Sequence, residues 1–221
     1  MIRNDYIVRM IEEFAEALRR IRALKNEQRH GEASLLTEEE FKRITGIDSQ
    51  ALLKLSETEL IAHLIESDAA HGVREKMFFV TTLLKEAGDL AAAEGRIDDS
   101  RACYLKGLHL LLDSLARGDD FEQPEFVPKV DLFVNTLEEI PPQTCALLMQ
   151  HYERTGQFAK AEDALFTILD SDASNDYALN FGIAFYERLL GRTDTQLEDG
   201  NLPRAEVEAG LQELRGRALK A

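Results

Sequence analysis

Apolar residues recur at three- and four-residue spacings over most of the chain and never settle into a sustained two-residue alternation. That period belongs to helices. Near the N-terminus Ile7, Ile11, Phe14, Leu18 and Ile21 repeat at 4-3-4-3 spacing, and Met10, Ala17 and Leu24 form an adjacent stripe. The pattern predicts one helix from about Asn4 or Asp5, either of which can cap it, to about His30 before Gly31. Residues 31–36 read as a loop. Thr37-x-x-Glu40 has the capping-box form and opens a short helix that Gly46 closes. Ser56-x-x-Glu59 has the same form ahead of Leu60, Ile61, Leu64 and Ile65, and Asp48 to Leu55 supplies a helical turn or two in between.

Longer helices follow. The spacing predicts them over 73–93, stopped by Gly95, and over 98–116, stopped by Gly118. Shorter ones are expected over 130–140, ended by Pro141 and Pro142, and then over 144–154, 158–169, 176–190 and 203–219. Residues 119–128 and 191–202 read as polar loops. The expectation is an all-α chain, with an N-terminal helical extension over 1–72 and a repeat region over 73–221 forming one continuous unit.

Composition narrows the picture. The chain has 221 residues, 44% of them hydrophobic, with 5 prolines and no tryptophan, which favours packed helices over a sheet sandwich. Its net charge is −15, from 41 acidic and 26 basic residues. A phosphate backbone needs a Lys/Arg surface, so no nucleic-acid partner is expected, and a partner recognised by charge is basic. Residues 1–30 depart from this balance at +2, and five of their seven basic residues fall between Arg19 and Arg29. No run of about 18 apolar residues appears, and the N-terminus reads as lacking a secretory pattern, so no membrane role and a cytoplasmic location are expected. Cys103 and Cys145 have no metal-ligand or redox spacing and read as buried, reduced thiols.

Two stretches carry a pattern around a turn glycine. In the first, Leu84, Ala87, Gly88 and Ala91 precede Gly95, and Ile97, Ser100, Tyr104 and Gly107 follow it. Small residues at Gly88, Ser100 and Gly107 let two antiparallel helices approach closely, and Tyr104 fills the space beside them. In the second, Leu148 and Tyr152 precede Gly156, and Phe158 and Ala161 follow. Phe181, Gly182 and Phe185 make a third, partial match. These positions resemble tetratricopeptide repeats, helix pairs that recur every 34 residues in regular members. Gly95 and Gly156 lie 61 residues apart, so the helix expected over 130–140 interrupts any regular array. The resemblance implies a short stack of helix pairs whose concave face, near Lys85, Asp89, Tyr152 and Tyr186, takes up a peptide or helix. With its DYIVRMIEEF opening, the whole chain also resembles a family of bacterial proteins that carries no assigned activity.

Chemistry is sparse. Glu59, His63 and Glu66 share one face of a helix at i, i+4 and i+7, with His71 further on, and offer carboxylate and imidazole to one metal ion. No second helix supplies a matching set, so no metal or other cofactor is expected and the solvated face of a small helix is the plainer reading. No nucleophile motif or phosphate-cradling glycine loop is present. The leading expectation is a non-enzymatic protein-interaction module. The 4-3-4-3 stripe of Ile7, Ile11, Phe14, Leu18 and Ile21 is the candidate surface for a homodimer or partner helix. A helical metal-binding protein or enzyme using Glu59, His63 and Glu66 is the alternative.

Overall fold

The computed structural model describes residues 2–66, 72–117, 123–171 and 176–219, with side chains from Ile7 onward. The described residues are all-helical and contain no strand. The chain divides into two compact units, 1–139 and 140–221.

The first unit contains α1 (Ile2–Asn26), α2 (His30–Thr45), α3 (Ser49–Lys54), α4 (Glu57–Glu66), α5 (Val73–Ala93), α6 (Ile97–Ala116) and α7 (Val130–Thr136). Helix α5 is its centre, paired along its length with α6 and covered by α1, α2 and α4, while α7 lies on α6. The boundary expected at residue 72 therefore falls inside this unit: the N-terminal helices pack on α5 and α6. The core is built from Phe14, Leu18 and Ile21 of α1, Phe41 of α2, Leu60 and Leu64 of α4, and Phe79 and Leu83 of α5. The rings of Phe14 and Phe79 stack at 4.3 Å between centroids.

The second unit contains α8 (Pro142–Arg154), α9 (Phe158–Ser171), α10 (Asp176–Leu190), α11 (Asp194–Asp199) and α12 (Arg204–Ala218). Helix α8 pairs with α9, and α10 with α12. Gly182 and Gly210 make the second pairing close. A Cβ on Gly182 would fall 2.6 Å from a Leu214 methyl of α12, and one on Gly210 would overlap the Tyr186 ring.

One turn geometry recurs in both units. Arg96 N–H donates to the Ala91 carbonyl at 2.8 Å and Gly95 N–H to that of Ala92 at 3.0 Å; Gln157 and Gly156 repeat this toward Tyr152 and Glu153 at 2.8 and 3.2 Å. Gly95 and Gly156 hold φ of 76° and 75°. This double closure of a helix C-terminus requires one residue in the left-handed region, where glycine is favoured. The same pair of bonds closes α1 at Gln28 and Arg29, and α11 at Asn201 and Leu202, with Gln28 and Asn201 at φ of 60° and 56°.

Three differences from expectation follow. The first helix ends at Asn26, and residues 31–36 belong to α2 rather than a loop, because Gln28 takes the left-handed position where no glycine marks it. Thr37 is mid-helix and donates to the Ala33 carbonyl, while Glu40 binds Arg43, so these two form no capping box. The polar stretch 191–202 contains α11, opened by a capping box between Thr193 and Gln196. The caps expected at Asn4 or Asp5, the stop at Gly118 and the ligand at His71 lie outside the described side chains. Among the described residues no helix is long and apolar enough to cross a membrane.

Candidate functional site

The five-residue stripe of α1 is a core element. Phe14, Leu18 and Ile21 are buried, with Met10 and Ala17 beside them, and Ile7 and Ile11 are half-buried. All the fully buried members pack against residues of their own chain. This corrects the expectation of a docking face at Phe14, Leu18 and Ile21: the apolar face of α1 is spent on α2 and α5.

The basic end of α1 is also turned inward. Lys25 donates to both Glu86 and Asp89 of α5, and Arg22 Nε donates to Glu86 at 2.9 Å. Lys85 donates to Asp89 at 2.8 Å and lies 3.6 Å from Glu86. The Tyr104 hydroxyl of α6 completes the cluster at 2.6 Å from Asp89. The Glu86 side chain has 0% exposure, so its charge is balanced entirely by these cations. Burial pushes the Asp89 carboxyl up, but the hydrogen bonds from Lys25, Lys85 and Tyr104 outweigh it and hold the group below its usual value. The Tyr104 hydroxyl is pushed well above its usual range by burial and by Asp89.

Lys85 and Asp89 are thus brought together, but inside a clasp between α1, α5 and α6 rather than on an open concave face. Tyr152 and Tyr186 lie in the second unit and are buried. The Tyr186 hydroxyl donates to Glu162 at 2.6 Å and its ring fills the space left by Gly210. These two tyrosines are core residues, which corrects their assignment to a binding face.

The residues proposed for a metal have other roles. Glu59 accepts from the Ser56 N–H and hydroxyl at 2.8 Å each, the reciprocal cap of α4. His63 Nε2 lies 2.7 Å from the Thr45 carbonyl, and Glu66 is exposed. Among the described residues no group of three or more His, Cys, Asp or Glu side chains is placed to hold a metal ion. Both cysteines are buried and free, and burial pushes the Cys103 thiol up to about 12.

An open groove of about 130 Å³ runs between α2, α3, α5 and α6. Its floor is apolar, from Leu53, Ala87, Leu90 and Ala91, and its walls include Ser34, Gln50, Arg96 and Asp99. Glu38 forms one wall and fixes α3 by accepting from the Ser49 N–H and hydroxyl. The residues that follow Ser34 and Arg96 in the chain, Leu35 and Ile97, are large apolar side chains left 68% and 66% exposed. Arg96 bonds two residues back to Glu94 and three residues on to Asp99, at 2.7 Å each. Arg29 repeats this arrangement with Glu27 and Glu32, at 2.9 and 2.6 Å. Leu35 falls within residues 31–36, expected as a loop; the signal that marks its hairpin is the recurrence of Glu-x-Arg-x-x-acid at 27–32 and 94–99.

Fold and groove together define an all-α protein built from helix hairpins closed by a common turn, with its polar clusters used to join helices. The chain belongs to a family described as "Family of unknown function (DUF6483)", whose model matches residues 1–218. No curated protein and no solved structure matched it.

Proposed function

We propose that this chain is a non-enzymatic, tetratricopeptide-like interaction module that takes up a segment of another protein in the groove between α2, α3, α5 and α6. The observation that carries this reading is the open groove lined by Leu53, Ala87, Leu90 and Ala91, with two exposed apolar residues, Leu35 and Ile97, each one position along the chain from a lining residue. A core can bury such residues; leaving two of them exposed costs solvation that a partner recovers. Exposed apolar positions beside a concave surface are the usual footing for an anchoring side chain. The segment that fits carries an apolar anchor for the groove floor and basic residues on either side, since the chain as a whole is strongly acidic.

Helix hairpins sharing one closing turn support the tetratricopeptide-like reading, and stacked hairpins commonly serve as binding surfaces. That step is by analogy of fold. Two buried free thiols fit a cytoplasmic location. The test is site-specific photocrosslinking. A crosslinking residue at position 35 or 97 should trap one defined protein in the cell, and the same residue at exposed Tyr177 of the second unit should not. Equal trapping at all three positions would contradict a specific groove.

A further inference from the structure

The groove between α2, α3, α5 and α6 holds a negative charge that the described residues leave unbalanced. Glu38 of α2 lines it and is half-buried. Its two donors, the Ser49 N–H at 3.1 Å and the Ser49 hydroxyl, are both neutral. Glu40, two residues on, is by contrast paired with Arg43 at 2.6 Å. On α6, Asp99 accepts from Arg96 at 2.7 Å, but Arg96 also serves Glu94 at 2.7 Å, so one base faces two acids there. The Cys103 thiol, which lines the same groove, feels both walls. Burial raises it most, and Asp99 and then Glu38 push it the same way against Arg96. The field of the two carboxylates therefore reaches into the groove.

The apolar part of the groove is small. Ala87 and Ala91 contribute only methyl groups, and a volume of about 130 Å³ leaves room for one aliphatic side chain. A helix docked by its apolar face needs space for several anchors, at i, i+3 or i+4, and i+7. Ser34 and Gln50 add neutral side chains that both donate and accept hydrogen bonds. A helix has its main-chain groups paired internally, whereas an extended segment offers its N–H and C=O groups to such partners.

We propose, resting on the docking role given to this groove above, that its occupant is an extended segment with one aliphatic side chain beside a lysine or arginine, and that Glu38 selects the basic residue. The aliphatic side chain enters over Ala87 and Ala91, the cation pairs with Glu38, and Ser34 and Gln50 hold the main chain. A carboxylate already fixed by Ser49 loses little further freedom on pairing. The charge-assisted bond then discriminates against a neutral or acidic residue at that position of the segment.

The test is selection of a phage-displayed library of random linear peptides on the intact chain, with the enriched peptides then synthesised as probes for fluorescence polarisation. Ala87→Leu fills the groove, so peptides that lose binding to this folded variant are the ones that occupy it. They are expected to share an aliphatic residue flanked by Lys or Arg. Glu38→Gln, which keeps an acceptor for Ser49, should weaken them about ten- to hundredfold, the loss of one charge-assisted hydrogen bond. Replacing the peptide's basic residue by Gln should weaken binding to the same extent, and the two losses should not add when combined. Groove-bound peptides that lack a basic residue, repeat apolar residues at helical spacing, or bind folded Glu38→Gln unchanged would overturn this inference while leaving the docking role in place. If no enriched peptide is sensitive to Ala87→Leu, the docking role falls and this inference falls with it.

Discussion

Lys25, in the last turn of α1, donates to Glu86, a carboxylate on α5 with no exposed surface. Arg22 and Lys85 reach the same side chain, so two helices distant in sequence are joined through one buried charge. Removing the carboxylate leaves three cations with only Asp89 to balance them, and removing one cation leaves the others in place. Glu86→Ala should therefore destabilise the first unit by about 2–4 kcal/mol and Lys25→Ala by about 1–2 kcal/mol. Urea unfolding midpoints check both values. An equal loss from the two variants would contradict the central place given to Glu86.

Leu18 sits in the core with Phe14 and Phe79. Leu18→Glu places a carboxylate there without a partner and should cost at least about 4 kcal/mol, unfolding the first unit. Circular dichroism with light scattering reads the result. A folded monomer produced from a wild-type dimer would restore the stripe as an interface.

The shared turn predicts a sign change. Gly95→Ala and Gly156→Ala each put a side chain at positive φ and should cost about 1–2 kcal/mol in their own units. Gln28→Gly does the reverse at φ 60° and should stabilise the first unit by up to about 1 kcal/mol. Thermal unfolding of the three variants decides it.

Most helices were legible because their apolar period is strong and their stops are glycine or proline: 73–93 and 176–190 match α5 and α10 end to end. The α1–α2 turn was not, since glutamine carries no mark of a left-handed backbone. The proposed binding face failed for a different reason. Tyr152, Tyr186, Lys85 and Asp89 are polar-tipped residues that the fold uses inside, and spacing does not reveal whether a hydroxyl or a charge finds its partner within the chain.

The second unit should respond to pH through Glu162. Burial raises its carboxyl above the usual 4.5, and Glu206, Asp163 and Glu213 add to this against the Tyr186 hydrogen bond. A raised carboxyl favours the protonated native state, so its contribution is present below pH 4.5 and is lost as pH rises through the folded value. Glu162→Gln should thus stabilise the unit at neutral pH and confer little at pH 4, as read from unfolding midpoints across that range. A larger gain at pH 4 than at pH 7 would contradict the sign.

The proposed docking role is tested most directly by substituting the two exposed apolar residues that neighbour the groove lining in sequence. Leu35→Glu and Ile97→Glu together should leave circular dichroism and unfolding unchanged, since neither side chain is part of the core. The partner identified by crosslinking should then bind the double variant at least about tenfold more weakly than the wild type, the loss of one anchoring contact. Unchanged affinity in a folded double variant would contradict a docking role for Leu35 and Ile97.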